Sequence, residues 1–443
     1  MKIHVVRAGE SVWSIASDYG VDPDRLAADN EVPPSGALAV GQTLVVRFPR
    51  QVHVVRSGET LTSIAAAYGT SVRTLWRKNW PLGGSEQIYP GQVLVISDCS
   101  EPLGTAVSHG YAYPHIDSGL LHAQLPYLST LAPFSYGLTA DGRLHAPEDA
   151  ALLAAARQYG VQPVMSLSSL TEEGEFSTER AALVLTDSAV QDELILEIFQ
   201  VLRAKGYRGL DVDFEYLPAS LAQPYAAFLQ RLHRLLRSRG LFLWTALAPK
   251  TSASQTGILY EGHDYAAIGA AVDGALLMTY EWGYAQGPPM AVAPLPSVRA
   301  VLDYAVTAIP REKLLLVNLV RRVVDYAVSR IPREKLLLGI PNYGYDWPLP
   351  FVSGSTRARS LSNQQAIALA VEQGAEISYD ETAQSPYFHY TDNAGTAHAV
   401  WFEDARSLDA KLRLIQEYGA GFWNLMRPFS QTWLVLDSLY QIR

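Results

Sequence analysis

Within Gly209-Leu210-Asp211-Val212-Asp213-Phe214-Glu215-Tyr216, three acidic residues occupy alternate positions. In an extended strand, residues two apart leave the same face, about 6–7 Å from one another. Asp211, Asp213 and Glu215 then share one face, while Leu210, Val212 and Phe214 share the other. Like charges that close resist full ionisation, so at least one carboxyl keeps its proton near neutral pH. A carboxylic acid held protonated beside a carboxylate can protonate a leaving oxygen, which is what breaking a glycosidic bond requires.

Elements must exist to hold such a face inward. An amphipathic helix is expected over roughly 192–205, just before the acidic strand. Helices covering the apolar face leave the acids pointing into a barrel. Strand-like segments recur at 107–113, 130–136, 162–167, 209–214, 242–247, 274–280, 335–340 and 421–425, with helical patterns between most of them. Eight such strands predict a (β/α)8 TIM barrel, whose chemistry sits at the C-terminal strand ends. Glu215 falls at such an end. Tyr111, Tyr136, Trp244, Asn342, Tyr343 and Trp401 fall near other strand ends or in loops and are candidates to line the cleft. The stretch 345–402 is too long for a plain loop and predicts a small α+β insertion, with a helix over 363–372 and strands at 387–391 and 398–402. Glu403 and Asp404 at its end are weaker candidates for substrate contact.

The first 97 residues hold an internal repeat. His4-Val5-Val6-Arg7-Ala8-Gly9-Glu10-Ser11 recurs as His53-Val54-Val55-Arg56-Ser57-Gly58-Glu59-Thr60. Each copy continues with an amphipathic helix, a glycine stop at Gly20 or Gly69, a short second helix ending near Asn30 or Asn79, and a Gly-Gln turn into a strand. The order is strand, helix, helix, strand.

These two units resemble LysM modules, over 1–48 and 51–97. The resemblance implies binding to the N-acetylglucosamine of peptidoglycan or chitin. It places the groove at Gly9, Glu10, Ser11 and Val12 with Asn30 to Pro33, and at Gly58, Glu59, Thr60 and Leu61 with Asn79 to Leu82. Over 103–443, the Gly-x-Asp-x-Asp-x-Glu run, Met278-Thr279-Tyr280-Glu281-Trp282 and Gly421-Phe422-Trp423 resemble the motifs of family 18 glycoside hydrolases. The whole chain resembles the spore germination cortex-lytic N-acetylglucosaminidases of spore-forming bacteria. It departs from the wider family at Arg208 and Glu281, where aspartate is usual. The family is a substrate-assisted exception to the two-carboxylate scheme. The resemblance therefore implies Glu215 as acid and base, Asp213 orienting the substrate acetamido group, Asp211 sharing a proton with Asp213, Tyr280 bonding the acetamido oxygen, and Trp423 as the floor beneath the sugar. It also implies a place in the spore coat or cortex. Peptidoglycan hydrolase, chitinase and a non-catalytic glycan-binding protein all remain compatible with these residues.

Composition narrows the field. A net charge of −9 over 443 residues argues against nucleic acid as the partner. The single cysteine, Cys99, excludes an internal disulfide framework. No apolar run is long enough to span a bilayer, and Met1-Lys2-Ile3-His4 begins no apolar leader. His109, His115 and His122 lack metal-ligand spacing, so neither a metal nor an organic cofactor is expected. One oddity remains. Val298-Arg299 through 316 recurs almost verbatim as Val320-Arg321 through 338. The second copy is expected to supply the seventh barrel strand, and the first hexapeptide, 311–316, to be helical.

Overall fold

The computed structural model describes residues 1–306 and 335–442. The expected helical hexapeptide at 311–316 lies outside the described residues. Eight parallel strands close into a barrel: β1 (Ser108–Ala112), β2 (Thr130–Pro133), β3 (Gln162–Ser168), β4 (Gly209–Asp213), β5 (Phe242–Leu247), β6 (Gly274–Leu277), β7 (Leu336–Gly339) and β8 (Gly421–Leu425). Each pairs with its neighbours in chain order, and β8 pairs with β1. All eight expected strands are present, trimmed by a few residues at most.

The acidic strand is positioned by what lies behind it. Helix α1 (Ser188–Lys205) begins at Asp187, whose carboxylate accepts from Ala189 and Val190 N–H, and stops at Gly206 with φ 69°. Leu194, Ile195, Ile198 and Leu202 give it one buried face. Helix α2 (Ala222–Arg237) follows β4 and buries Tyr225 and Phe228. Phe214 is fully buried against α2, its ring 5.9 Å from Tyr225 and 6.1 Å from Phe228. Such a ring contributes about 3–5 kcal/mol, measured as truncation to alanine. That packing turns the odd-numbered acids inward.

Helix α3 (Leu295–Val306) packs outside the barrel through Val298, Val301, Leu302 and Ala305. It comes from the first copy of the duplicated segment, whereas β7 comes from the second. Among the described residues, the first copy thus supplies a helix and the second a strand.

Between β7 and β8 lies a five-stranded antiparallel sheet, ordered Arg359–Ser362, Tyr343–Pro348, Ala397–Trp401, Ser385–Thr391 and Ser378–Asp380. It carries helix α4 (Asn363–Gln373). This insertion has three more strands than periodicity predicted. Helix α5 (Ala405–Tyr418) and, after β8, helix α6 (Ser430–Leu439) complete the outer ring.

Each N-terminal unit has the expected strand-helix-helix-strand order and a two-stranded antiparallel sheet. The units are packed tightly on the barrel. Trp80 meets Tyr127 at 5.9 Å, and Tyr127 meets Trp433 of α6 at 5.6 Å. Lys78 pairs with Asp98 (3.1 Å) and Asp437 (2.8 Å), and Arg47 pairs with Asp29 (3.1 Å). Thr43 and Gln431 exchange two hydrogen bonds, of 2.9 and 2.7 Å. Ile377 N–H of the insertion donates to the Val40 carbonyl at 2.8 Å.

Candidate active site

The three carboxyls meet inside the barrel near its C-terminal end. Asp211 is fully buried, Asp213 is 6% exposed, and Glu215 lies just past the end of β4, partly open to solvent. Among the described residues no cation pairs with any of them. Burial alone raises Glu215 to about 7 and, against a hydrogen bond from Tyr111, Asp211 to about 7 as well. Asp213 is raised well above the usual carboxylate value, first by burial and then by the charges of Glu215 and Asp211. The Tyr111 hydroxyl donates to Asp211 Oδ2, while Asp211 Oδ1 and Asp213 Oδ1 have no partner. A tyrosine bond thus fixes one oxygen of the inner acid and leaves its other oxygen free.

Trp423 crosses the barrel floor. Its Nε1 donates to the Leu277 carbonyl at 3.2 Å, and its ring lies 5.2 Å from Tyr111 and 5.6 Å from Tyr280. Gly339, paired with it in register, permits this: a Cβ there would stand 3.0 Å from the indole and 2.5 Å from the Leu277 carbonyl oxygen. Tyr280 is raised well above the usual phenol value by burial and by the Glu215 and Asp213 charges, so it stays a donor.

Beside this floor opens a cavity of about 200 Å³, lined by Tyr280, Glu281, Asn342, Tyr343, Trp423 and Arg427 among others. Glu281 has φ 66° and accepts from the Tyr343 and Tyr345 hydroxyls, the latter at 2.9 Å. Burial raises its pKa against those two bonds and the field of Arg427. Asn342 is buried, donates to the Arg427 carbonyl at 3.2 Å and accepts from Asn363 at 3.1 Å. Trp401 stacks on Tyr387 at 4.7 Å and pairs with Tyr345 in register, so the insertion walls this side.

Several candidates stand elsewhere. Trp244 is the third residue of β5 and packs low in the barrel, 4.6 Å from Phe242 and 5.2 Å from His109. The Tyr136 hydroxyl bonds Asp149 (2.7 Å), on the helical side of the barrel wall. Glu403 is sealed in an ion pair with Lys411 at 2.6 Å, and Asp404 caps α5. In the N-terminal units, Asn30 and Asn79 are buried and hold the second helix to the closing strand through Val45 and Val95. Val12 and Leu61 are core residues, and Ser11 and Thr60 are helix caps. Glu10 and Glu59 turn back onto His4 (2.8 Å) and His53 (2.7 Å). These side chains build the fold; Gly9 and Gly58 remain at the surface as turn glycines.

Periodicity did not single out Tyr113, Tyr216, Tyr345 or Arg427. Tyr113 (39% exposed) and Tyr216 (41% exposed) follow directly on β1 and Glu215. Their position just past a strand's C-terminal end was a usable signal. Trp13 and Tyr89 are exposed aromatics on the two N-terminal units.

Comparison with known proteins agrees with this geometry. The model for glycosyl hydrolases family 18 matches residues 147–427, and that for the LysM domain matches 4–47 and 53–97. The chain is 38% identical to the cortical fragment-lytic enzyme of Bacillus subtilis, over 100% of this chain and 99% of that one. It is 31% identical to the putative sporulation-specific glycosylase YdhD of the same organism, over 100% of both. The crystal structure of the Bacillus cereus spore cortex-lytic enzyme SleL superposes with a TM-score of 0.80 at 34% identity, covering 100% of this chain and 98% of that one.

Proposed function

Because the chain belongs to family 18 of the glycosyl hydrolases and carries two LysM domains, we propose that it hydrolyses spore cortex peptidoglycan, cutting the β-1,4 bond after N-acetylglucosamine. The similarity to cortex-lytic relatives over the full chain supports this substrate and a place in the spore coat or cortex. The observation that carries the chemistry is the buried acid line, unpaired with any cation among the described residues, with Glu215 raised to about 7.

In this scheme Glu215 holds the proton that the leaving oxygen takes. The substrate's own acetamido oxygen attacks the anomeric carbon, so no protein nucleophile is needed. Asp213 faces the acetamido nitrogen and stabilises the positive charge that develops beside it. Tyr280, held protonated, donates to the acetamido oxygen. Asp211, fixed by Tyr111, shares a proton with Asp213. Trp423 carries the sugar ring. Glu215, now ionised, then takes a proton from water as the water oxygen bonds the anomeric carbon and the acetamido oxygen leaves it, so the configuration is retained. The LysM domains hold the polymer.

The test is digestion of cortex fragments and chitin oligomers side by side, with proton NMR of the first product. Cortex products ending in β-configured N-acetylglucosamine, and inhibition by a thiazoline mimic of the cyclised acetamido intermediate, are expected. Inverted product, or cleavage of chitin alone, refutes the proposal.

A further inference from the structure

Arg427 stands two residues beyond β8, on the wall of the sugar-binding cavity. Its main chain is pinned: the carbonyl accepts from Gln124 at 2.8 Å and from Asn342 at 3.2 Å. Its guanidinium lies 5.2 Å from the centre of the Tyr343 ring. Tyr343 is itself tied to Glu281, so the platform beneath the cation is rigid. Arg47 and Arg406, by contrast, are committed to carboxylates, Arg47 to Asp29 at 3.1 Å and Arg406 to Asp404 at 2.6 Å. Arg427 has no carboxylate within ion-pair distance among the described residues; Glu281 feels it only through its field. It is also the one cation lining this cavity among the described residues.

An oriented, unpaired guanidinium is built to take a planar anion through two parallel hydrogen bonds. A chain of N-acetylglucosamine alone offers no anion. Muramic acid does, because its 3-O-lactyl branch ends in a carboxyl group. The chain's net charge of −9 would otherwise repel such a glycan, so a local cation at the cleft has a purpose. We infer that Arg427 binds the carboxylate on the lactyl branch of the muramic residue next to the N-acetylglucosamine seated on Trp423, and so makes the cleft prefer acid-bearing glycan over uncharged chains. The inference rests on the proposed cleavage of peptidoglycan. The carboxylate has two sources, the free lactyl acid or the terminus of a short peptide joined to it.

The test is an enzyme-by-substrate cycle on the full chain. Wild type, Arg427→Gln and Arg427→Lys are assayed on matched tetrasaccharides of alternating N-acetylglucosamine and N-acetylmuramic acid. The lactyl group is free, converted to its methylamide, or extended by one alanine, and chitotetraose is the uncharged reference. For wild type, kcat/KM on an acid form should exceed that on the methylamide by about 10-fold or more. Arg427→Gln should bring that ratio close to one, with Arg427→Lys in between. A larger ratio for the alanyl substrate assigns the contact to the peptide carboxylate, and a larger ratio for the free acid assigns it to the lactyl group. If Arg427→Gln lowers all substrates in parallel, or leaves the acid-to-amide ratio unchanged, Arg427 does not read the carboxylate. Wild-type cleavage of chitotetraose with none of the muramic substrates would overturn the peptidoglycan proposal, and this inference with it.

Discussion

Replacing Glu215 with glutamine should abolish turnover and stabilise the protein, and the second effect carries a pH signature. In the folded chain, burial lifts the carboxyl from 4.5 to about 7. Below about 4.5 the group is protonated in folded and unfolded chains alike, and nothing is lost. Between 4.5 and about 7 the unfolded chain ionises while the folded chain holds its proton, so stability falls as pH rises through that window. Above about 7 the folded chain carries the full penalty, about 3 kcal/mol at 1.36 kcal/mol per pH step. Glutamine carries no such charge, and its removal of the Glu215 carboxylate also relieves Asp213. At roughly 2 cal/mol/K of unfolding entropy per residue, the chain changes by roughly 0.9 kcal/mol/K, so the gain is about 3 °C in Tm. Thermal melts of wild type and Glu215→Gln at pH 5 and pH 8 measure it. Expected are closely similar Tm values at pH 5 and a variant about 3 °C higher at pH 8, with turnover at least about 100-fold lower and glycan binding kept. A variant no more stable at pH 8 than at pH 5, relative to wild type, or one with near-normal turnover, refutes the electrostatic account of the site.

The same raised acid sets the activity profile: kcat/KM should fall as pH rises through about 7, where Glu215 loses the proton it must donate, and the fall should be absent if another group is the acid. Removing residues 1–97 would strip Trp80 from the fully buried Tyr127, so the truncated barrel should melt several degrees lower, as a thermal scan would report. Delivery is better tested with Trp13→Ala plus Tyr89→Ala on the exposed faces, which should impair action on insoluble cortex far more than on short soluble fragments; equal loss on both contradicts targeting. Deleting residues 298–319 should leave a folded, active enzyme. The residues that α3 uses, Val298, Arg299, Val301, Asp303, Tyr304 and Ala305, have counterparts in Val320, Arg321, Val323, Asp325, Tyr326 and Ala327. Failure of that deletion protein to fold would show that the copies are not interchangeable.

Local pattern was enough to reveal the acidic strand, the paired N-terminal units and all eight barrel strands. A strand's two-residue period and a helix's capping chemistry are written in neighbouring residues. Alternation also puts Asp211, Asp213 and Glu215 on one face, opposite the face through which Phe214 packs on Tyr225 and Phe228. What it left undetermined was depth and company. Trp244 and Trp423 are both inward-facing aromatics on barrel strands, yet one packs low beside Phe242 and the other spans the cavity over Gly339. Asn30 and Asn79 carry polar side chains that suit a sugar groove, and the fold turned them inward to satisfy backbone groups of the closing strand. Glu403 ended beside Lys411 and Arg427 over Tyr343 through contacts that no local period encodes. The docking of both LysM units on α6 joins residues hundreds of positions apart, as in Thr43 with Gln431. Secondary structure follows from short-range sterics and periodic burial. Which polar groups stay free for substrate is decided only when distant segments close on one another and consume the rest.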